Sequence, residues 1–552
     1  MQTLQDIHYA LLDRGFVEYT PWKKGIYKYV GQLHTSKGSI QVELKLNAFD
    51  TPPDIRIVDL PDSLKPKAPH ISASGSLCYT VSGSIAMDIF NAASQVLACI
   101  DRATDILSDI LEGKLIKDLT NEFFAHWDFS ALSNESVYLD TKDTNAPYVQ
   151  IFGVKDTADK TVSTVITDDR SRTQKKFEVQ KQHLTKVGLA GCIVDTTDEH
   201  YPYTVARPWQ QKTLYYFIFW QYYIYKKAAG KIVKRLKMIH DSGESFALIL
   251  ISSPTAKYAA NVDMSNVTSK IKSTKQARNK LASSPLRVVR LSRIDDPYMV
   301  ERNQPGRKNL IGKKVLLIGA GAIGGHLADL LVRSGAGFSG GNLTIVDKDI
   351  LGAGNIGRHK LGFESLHSFK ADALEKQLKE SFPTADIRSN FSDVREFELS
   401  QGFDLIINAT GEQSLGDWLS MEFNQKQFSP MLTVWIEGPG AVVRSLLQPT
   451  KSHACYRCLH DLDRTALFPA VDKQYEIKLG GHGCESLYVE YPATAALFAA
   501  GLANNHIIEW LNGKSSPLLR TTIIDSSYIK KTDDLDPEKL LDCPACNITK
   551  VG

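Results

Sequence analysis

Over the first sixty residues, apolar and polar positions alternate in short runs; beyond residue 310 they gather into solid apolar blocks. Residues 3–14 carry apolar positions at helical spacing and predict an amphipathic helix. Gly25 to Leu33 and Ser39 to Leu46 alternate as strands with one wet face, and Thr51-Pro52-Pro53 interrupts before a third run, Asp54 to Val58. Ile85 to Leu111 predicts a long helix through Ile85, Ile89, Val96, Ile100, Leu107 and Ile110. Helix, meander, helix is an α+β order. Further on, Val315 to Ile318, Leu343 to Val346, Phe403 to Ala409 and Arg520 to Ile524 read as buried strands, and Leu432 to Val443 suggests more. His326 to Arg333 and Ala493 to Leu511 read as helices. This part is α/β with a Rossmann-like sheet.

Between these regions lie strand-like runs (Tyr148 to Val154, Ser245 to Ser252) and an aromatic run, Leu214 to Tyr225. Lys226 to Lys237 reads as a solvated helix face, and the basic, Ser-rich Lys270 to Arg293 as a linker. The expected organisation is an N-terminal α+β domain (1–125), a middle α/β domain (126–290) and a C-terminal α/β domain (291–552).

A net charge of +3 over 552 residues gives no general affinity for nucleic acid or membrane. The N-terminus lacks a signal-peptide pattern and the apolar stretches are too short to span a bilayer, so a cytoplasmic protein is expected. Eight cysteines in so long a chain make no disulfide scaffold, but four form the pairs Cys455-x-x-Cys458 and Cys543-x-x-Cys546. Four soft ligands suit a tetrahedral structural Zn2+ site tying the C-terminus back onto its domain. Cys99 and Cys192 read as core residues.

The strand Val315 to Ile318 runs into Gly319, Gly321 and Gly324 and then a helix, the context in which a glycine turn cradles phosphate. Asp347, ending the next strand, is at the distance of a ribose-binding carboxylate. The turn alone admits any Rossmann-type ligand. Asn355, Arg358 and Lys370, clustered after the second strand, suit a nucleoside triphosphate better than a nicotinamide cofactor. Moving an adenylyl group requires neutralising triphosphate charge and aligning a carboxylate with the α-phosphate. Cys484 lies outside the zinc pairs in a glycine-rich stretch with His482, where a thiol could accept an acyl group.

Residues 300–546 resemble the adenylation domain shared by ubiquitin-activating enzymes and the bacterial molybdopterin- and thiamine-biosynthesis activators (the ThiF/MoeB type). The resemblance is carried by GAGAIGG, VDKD, Asn355, Arg358, Lys370, FDLIINA, the Cys pairs and Cys484. It implies ATP as cofactor, Asp347 on the ribose, and Arg358 and Lys370 on the phosphates with Asn355 beside them. It also implies Cys484 as the acceptor thiol and Arg302 as an upstream arginine, which some members take from the partner subunit. Where the family strand ends in an Asp that binds Mg2+, this chain has Gly411, leaving Glu412 as the candidate carboxylate.

The N-terminal segment resembles ubiquitin-conjugating enzymes: His70, Gly75 and Cys78 match by position, whereas Ile71 and Ser72 replace the family's Pro and Asn. Cys78 would be the conjugating thiol, with the oxyanion role of the Asn unassigned. The order of conjugating, middle and activating segments resembles the fused ubiquitin-transferase-like proteins of bacterial CBASS antiphage operons. That resemblance implies activation of a protein C-terminus, relay through Cys484 and Cys78 to target lysines, a cGAS-like nucleotidyltransferase as donor, and a homodimer through the adenylation domains. Three alternatives stay open: a relay for a ubiquitin-like protein, a sulfur-carrier adenylyltransferase, and a non-catalytic nucleotide-binding scaffold.

Overall fold

The computed structural model describes the chain except residues 1, 20–25, 48–49, 65–67, 73, 81–86, 124–126, 128–136, 142–147, 188–189, 196–211, 254–255, 400–401, 427–428, 478, 482–487 and 547–552. The chain divides into two compact units. One comprises residues 1–155, 160–168 and 185–292; the other comprises residues 156–159, 169–184 and 293–552.

The first unit begins with the helix Gln2–Asp13 and an antiparallel meander in the order Val17–Glu18, Tyr27–Thr35, Gly38–Leu46, Asp54–Ile57. Alternation decides its faces: Val42, Leu44 and Leu46 point into a core with Ile55 and Ile57, shared with Ile7 and Leu11 of the first helix. Gly31 is required because a Cβ there would lie 2.5 Å from the Phe16 ring. Of the helix expected over Ile85 to Leu111, the described residues form Ala92–Leu111, and Ile85 itself lies outside the described residues. Asp88 breaks the expected run by accepting the Phe90 N–H at the start of a 3-10 turn over Ile89–Asn91.

The middle of the chain builds a mixed sheet with the path Leu286–Val289, Lys257–Asp263, Phe246–Ser252, Ala190–Asp195, Tyr148–Lys155, Thr161–Thr167, Val137–Asp140. The helices Leu214–Ile224 and Lys226–Asp241 bury Phe217, Trp220, Ile232 and Leu236 against one face of it. Lys227 and Lys234 stay on the exposed side of the second helix, as the polar pattern requires. Cys99 and Cys192 are both buried, as expected of core thiols. Residues 270–293 are not a linker. The helix Thr274–Lys280 and the strand Leu286–Val289 form there, anchored by Ile271, Ala277 and Leu281. Apolar residues every few positions outweigh the basic, serine-rich composition that suggested a connector.

In the second unit the sheet order is Ile387–Asn390, Asn342–Val346, Lys314–Ile318, Leu405–Asn408, Met431–Glu437, Val442–Gln448, Leu519–Ile523. The first five strands are parallel, Val442–Gln448 runs antiparallel to them, and Leu519–Ile523 pairs antiparallel with Val442–Gln448. Both faces are covered. Val315 and Leu317 pack toward the helices Ala322–Arg333, Lys370–Ser381 and Ala493–Leu511. Leu316 and Ile318 pack toward Gln413–Gln425. Burial on both sides explains why these strands are continuous apolar runs. Lys314–Ile318 lies between Asn342–Val346 and Leu405–Asn408, so the strand order reverses there and a crevice opens past the strand ends.

Candidate functional site

That crevice is a cavity of about 450 Å3. Its floor is the glycine turn. Gly319 takes φ +96° and its N–H donates to the Val346 carbonyl at 2.9 Å. Gly324 is in the helix, where a Cβ would sit 1.8 Å from the Gly319 oxygen, so any side chain would push turn and helix apart. Gly321 is the N-cap of Ala322–Arg333, whose first N–H groups have no partner within the helix.

Asp347 is fixed at the end of its strand by accepting the Ala320 N–H at 2.6 Å and the Asp349 N–H at 2.7 Å. Burial pushes its carboxyl above the usual range, against the pull of these donors and of Lys370. Lys370, 8% exposed, opens its helix and donates to Asp349 Oδ2 at 2.8 Å. Asn355 lines the cavity and accepts the Gly352 N–H at 3.0 Å, which tightens the loop carrying Arg358. Arg358 lies 5.1 Å from the Tyr491 ring centroid and 5.6 Å from that of Tyr488.

Of the residues expected at the nucleotide, Gly319, Gly321, Asp347, Asn355, Arg358, Lys370 and Glu412 line this one cavity, and Gly324 supports its floor. Glu412 is exposed at the N-cap of Gln413–Gln425. Gly411 beside it takes φ +71°, a left-handed conformation in which glycine meets no steric penalty. Arg302, exposed at the end of the helix Asp296–Glu301, does not line the cavity.

Sequence reasoning passed over four contributors. His359 is buried beneath the turn; its Nδ1 accepts the Leu361 N–H at 3.0 Å, so Nε2–H donates to the Ala320 carbonyl at 2.7 Å. Burial pushes its pKa down to about 4, keeping it neutral. Lys348 and Arg395 meet on Asp393, at 2.9 and 3.1 Å, along one wall. Asp393 and Arg395 carry no motif that spacing could reveal; His359, adjacent to Arg358, was in view without a reason to weigh it.

The thiols of Cys455, Cys458, Cys543 and Cys546 lie within 4.8 Å of one another, with S···S separations down to 3.3 Å. A tetrahedral zinc with Zn–S near 2.3 Å has S···S edges of about 3.8 Å, so the donor set fits that metal. Cys455 is the N-cap of Tyr456–Arg464 and Cys458 lies in its first turn.

In the first unit Cys78 is exposed. Its N–H donates to the His70 carbonyl at 2.7 Å, and Gly75 takes φ +84° with a Cβ position 2.8 Å from the Ile57 oxygen. His70 itself adopts φ +59° and faces Asp118 at 3.0 Å and Glu122 at 3.0 Å. The two carboxylates, also missed in the sequence, clamp the segment after the long helix onto the thiol loop. Partial burial and then the Glu122 charge raise the Cys78 pKa. Ser72, in place of the conjugating-family Asn, accepts the Ser76 N–H and is spent on the turn. Cys484 and His482 lie outside the described residues.

Two family models match: the prokaryotic E2 family B over residues 17–135 and the ThiF family over residues 298–544. The chain is 37% identical over 552 residues to the ATP-dependent ubiquitin transferase-like protein Cap2 of Pseudomonas aeruginosa, covering 98% of each. The chain belongs to the Cap2 family. The Cap2 of Escherichia coli is a more distant relative, 25% identical over 94% of this chain and 93% of its own length. The solved structure of E. coli MccB with ATP is 16% identical with a TM-score of 0.33, over 45% of this chain and 70% of that one, too remote to inform the site. As a Cap2-family member the chain is an ATP-using, ubiquitin-transferase-like enzyme that joins a ThiF adenylation domain to an E2-like region. No helix among the described residues is long and apolar enough to cross a membrane.

Proposed function

We propose that the chain activates the C-terminal carboxylate of a protein and relays it through Cys484 and Cys78 to a target amine. One observation carries this reading. The expected nucleotide residues converge on a single cavity in a chain that also exposes the Cys78 thiol. Asp347 takes the ribose, and the first N–H groups of the helix Ala322–Arg333, Lys370 and Arg358 take the phosphates. A carboxylate oxygen attacks the α-phosphorus and pyrophosphate leaves. The Cys484 thiolate attacks the acyl-adenylate carbonyl and AMP leaves. Cys78 exchanges with that thioester, and a lysine amine attacks the second thioester to form an isopeptide bond and free the thiol.

Glu412, an exposed carboxylate of the cavity, would hold Mg2+, which would screen triphosphate charge. Zn2+ in the four-cysteine cluster would be structural. Arg302, away from the cavity of its own chain, fits a role in a second copy's cavity within a homodimer. The donor we propose is a cGAS-like nucleotidyltransferase in CBASS antiphage defence, in the cytoplasm, where thiols stay reduced. ATP–pyrophosphate exchange in the presence of that nucleotidyltransferase tests the reading. Exchange is expected, falling at least roughly 100-fold in Lys370→Ala. Exchange only with a small β-grasp protein would favour a ubiquitin-like or sulfur-carrier donor. No exchange with either would favour a scaffold.

A further inference from the structure

Arg358 differs from the other cations of the cavity in how it is held. Lys370 is paired with Asp349 at 2.8 Å, Lys348 with Asp393 at 2.9 Å, and Arg395 with Asp393 at 3.1 Å. Among the described residues the Arg358 guanidinium has no carboxylate partner, and its hydrogen bond to the Gly354 carbonyl is a long one, 3.5 Å. Its guanidinium is held instead near two aromatic rings, Tyr491 at 5.1 Å and Tyr488 at 5.6 Å.

The difference has a chemical consequence. A carboxylate would occupy the same N–H edge that a phosphate needs and would offset the charge. An aromatic ring attracts the cation electrostatically without accepting its N–H bonds and leaves the net charge intact. The backbone places the residues that carry the rings. Tyr488 pairs with Gly480 in the small ladder Leu479–Gly480 with Tyr488–Val489. Tyr491 is seated on Gly440, where a Cβ would lie 3.1 Å from the tyrosine Cβ and the backbone is left-handed, φ +83°.

We infer that Tyr488 and Tyr491 are positioning residues that hold Arg358 over the cavity with its N–H donors free for the phosphate chain of ATP. The inference rests on the reading of Arg358 as a phosphate ligand. The rings should matter through their π faces, not their hydroxyls.

Calorimetric titration of the full chain with magnesium-ATP, and separately with adenosine, tests this. Tyr488→Ala/Tyr491→Ala is expected to raise the Kd for ATP roughly 5- to 30-fold and leave adenosine binding unchanged. Tyr488→Phe/Tyr491→Phe should retain wild-type ATP affinity. Adding the alanine pair to Arg358→Ala should weaken ATP no further. Unchanged ATP affinity in the alanine pair, beside a loss in Arg358→Ala, would overturn the positioning role while sparing Arg358. Equal losses for ATP and adenosine would also overturn it, as general damage to the cavity. Unchanged affinity in Arg358→Ala would remove the phosphate assignment and the inference with it.

Discussion

Cys78 and His359 carry the most specific chemistry at the scale of single residues. The Glu122 charge works against thiolate formation at Cys78. Glu122→Gln removes that charge, so the thiol should titrate lower and alkylate faster at pH 7. Iodoacetamide labelling of the Cys78 peptide, followed by mass spectrometry, should show a rate increase of roughly two- to tenfold. A slower or unchanged rate would contradict the account. His359 titrates near 4 in the fold against an ordinary 6.5. Between those values the unfolded chain binds the extra proton, so stability falls as pH drops from 6.5 to 4, by on the order of 3 kcal/mol for this one group. Thermal melts should show His359→Asn losing less on acidification than the wild type, although it starts less stable. Asp463, which burial pushes up to about 6, acts in the opposite direction in both proteins and cancels in the comparison. Parallel losses would contradict the assignment.

Among the elements, the glycine turn was legible because three separate demands coincide there: a left-handed φ at Gly319, contact with Gly319 at Gly324, and an open N-cap at Gly321. The Asp347, Asn355, Arg358 and Lys370 set was legible because all follow one strand closely, and the topology brings that stretch to the strand-order reversal. The Asp393 and Arg395 wall follows a different strand, Ile387–Asn390, and only the sheet order makes it a neighbour. The helix Thr274–Lys280 and the strand Leu286–Val289 were missed because basic and serine residues diluted short apolar runs whose partners lie far away in the chain. The cysteine pairs were legible as a candidate metal site, and their approach depends on residues 543–546 folding back onto the helix Tyr456–Arg464. Full-length protein should contain about one zinc per chain by elemental analysis. Stripping it with a strong chelator, or Cys543→Ser, should lower the melting temperature of this part of the chain. Zinc-free protein that melts identically with and without chelator would contradict a structural metal.

At the level of the whole molecule, two candidate sites share one chain: a cavity past the strand ends of a mostly parallel sheet, and an exposed thiol on an antiparallel α+β scaffold. Full-length similarity to Cap2 proteins fits that arrangement. The E2-like likeness was legible through His70, Gly75 and Cys78, and its departures also have physical form. His70 is held by Asp118 and Glu122, while Ser72 is engaged within the turn. The central claim is the order of the relay, Cys484 before Cys78. The direct measurement supplies ATP and the cGAS-like nucleotidyltransferase to wild-type, Cys484→Ala and Cys78→Ala chains, then resolves adducts by intact-mass spectrometry with and without reductant. The account predicts reductant-stable amide conjugates from the wild type alone. Cys78→Ala should accumulate a reductant-sensitive adduct on Cys484, and Cys484→Ala should carry an adduct on neither thiol. Amide conjugates formed at the wild-type level by Cys78→Ala would contradict it.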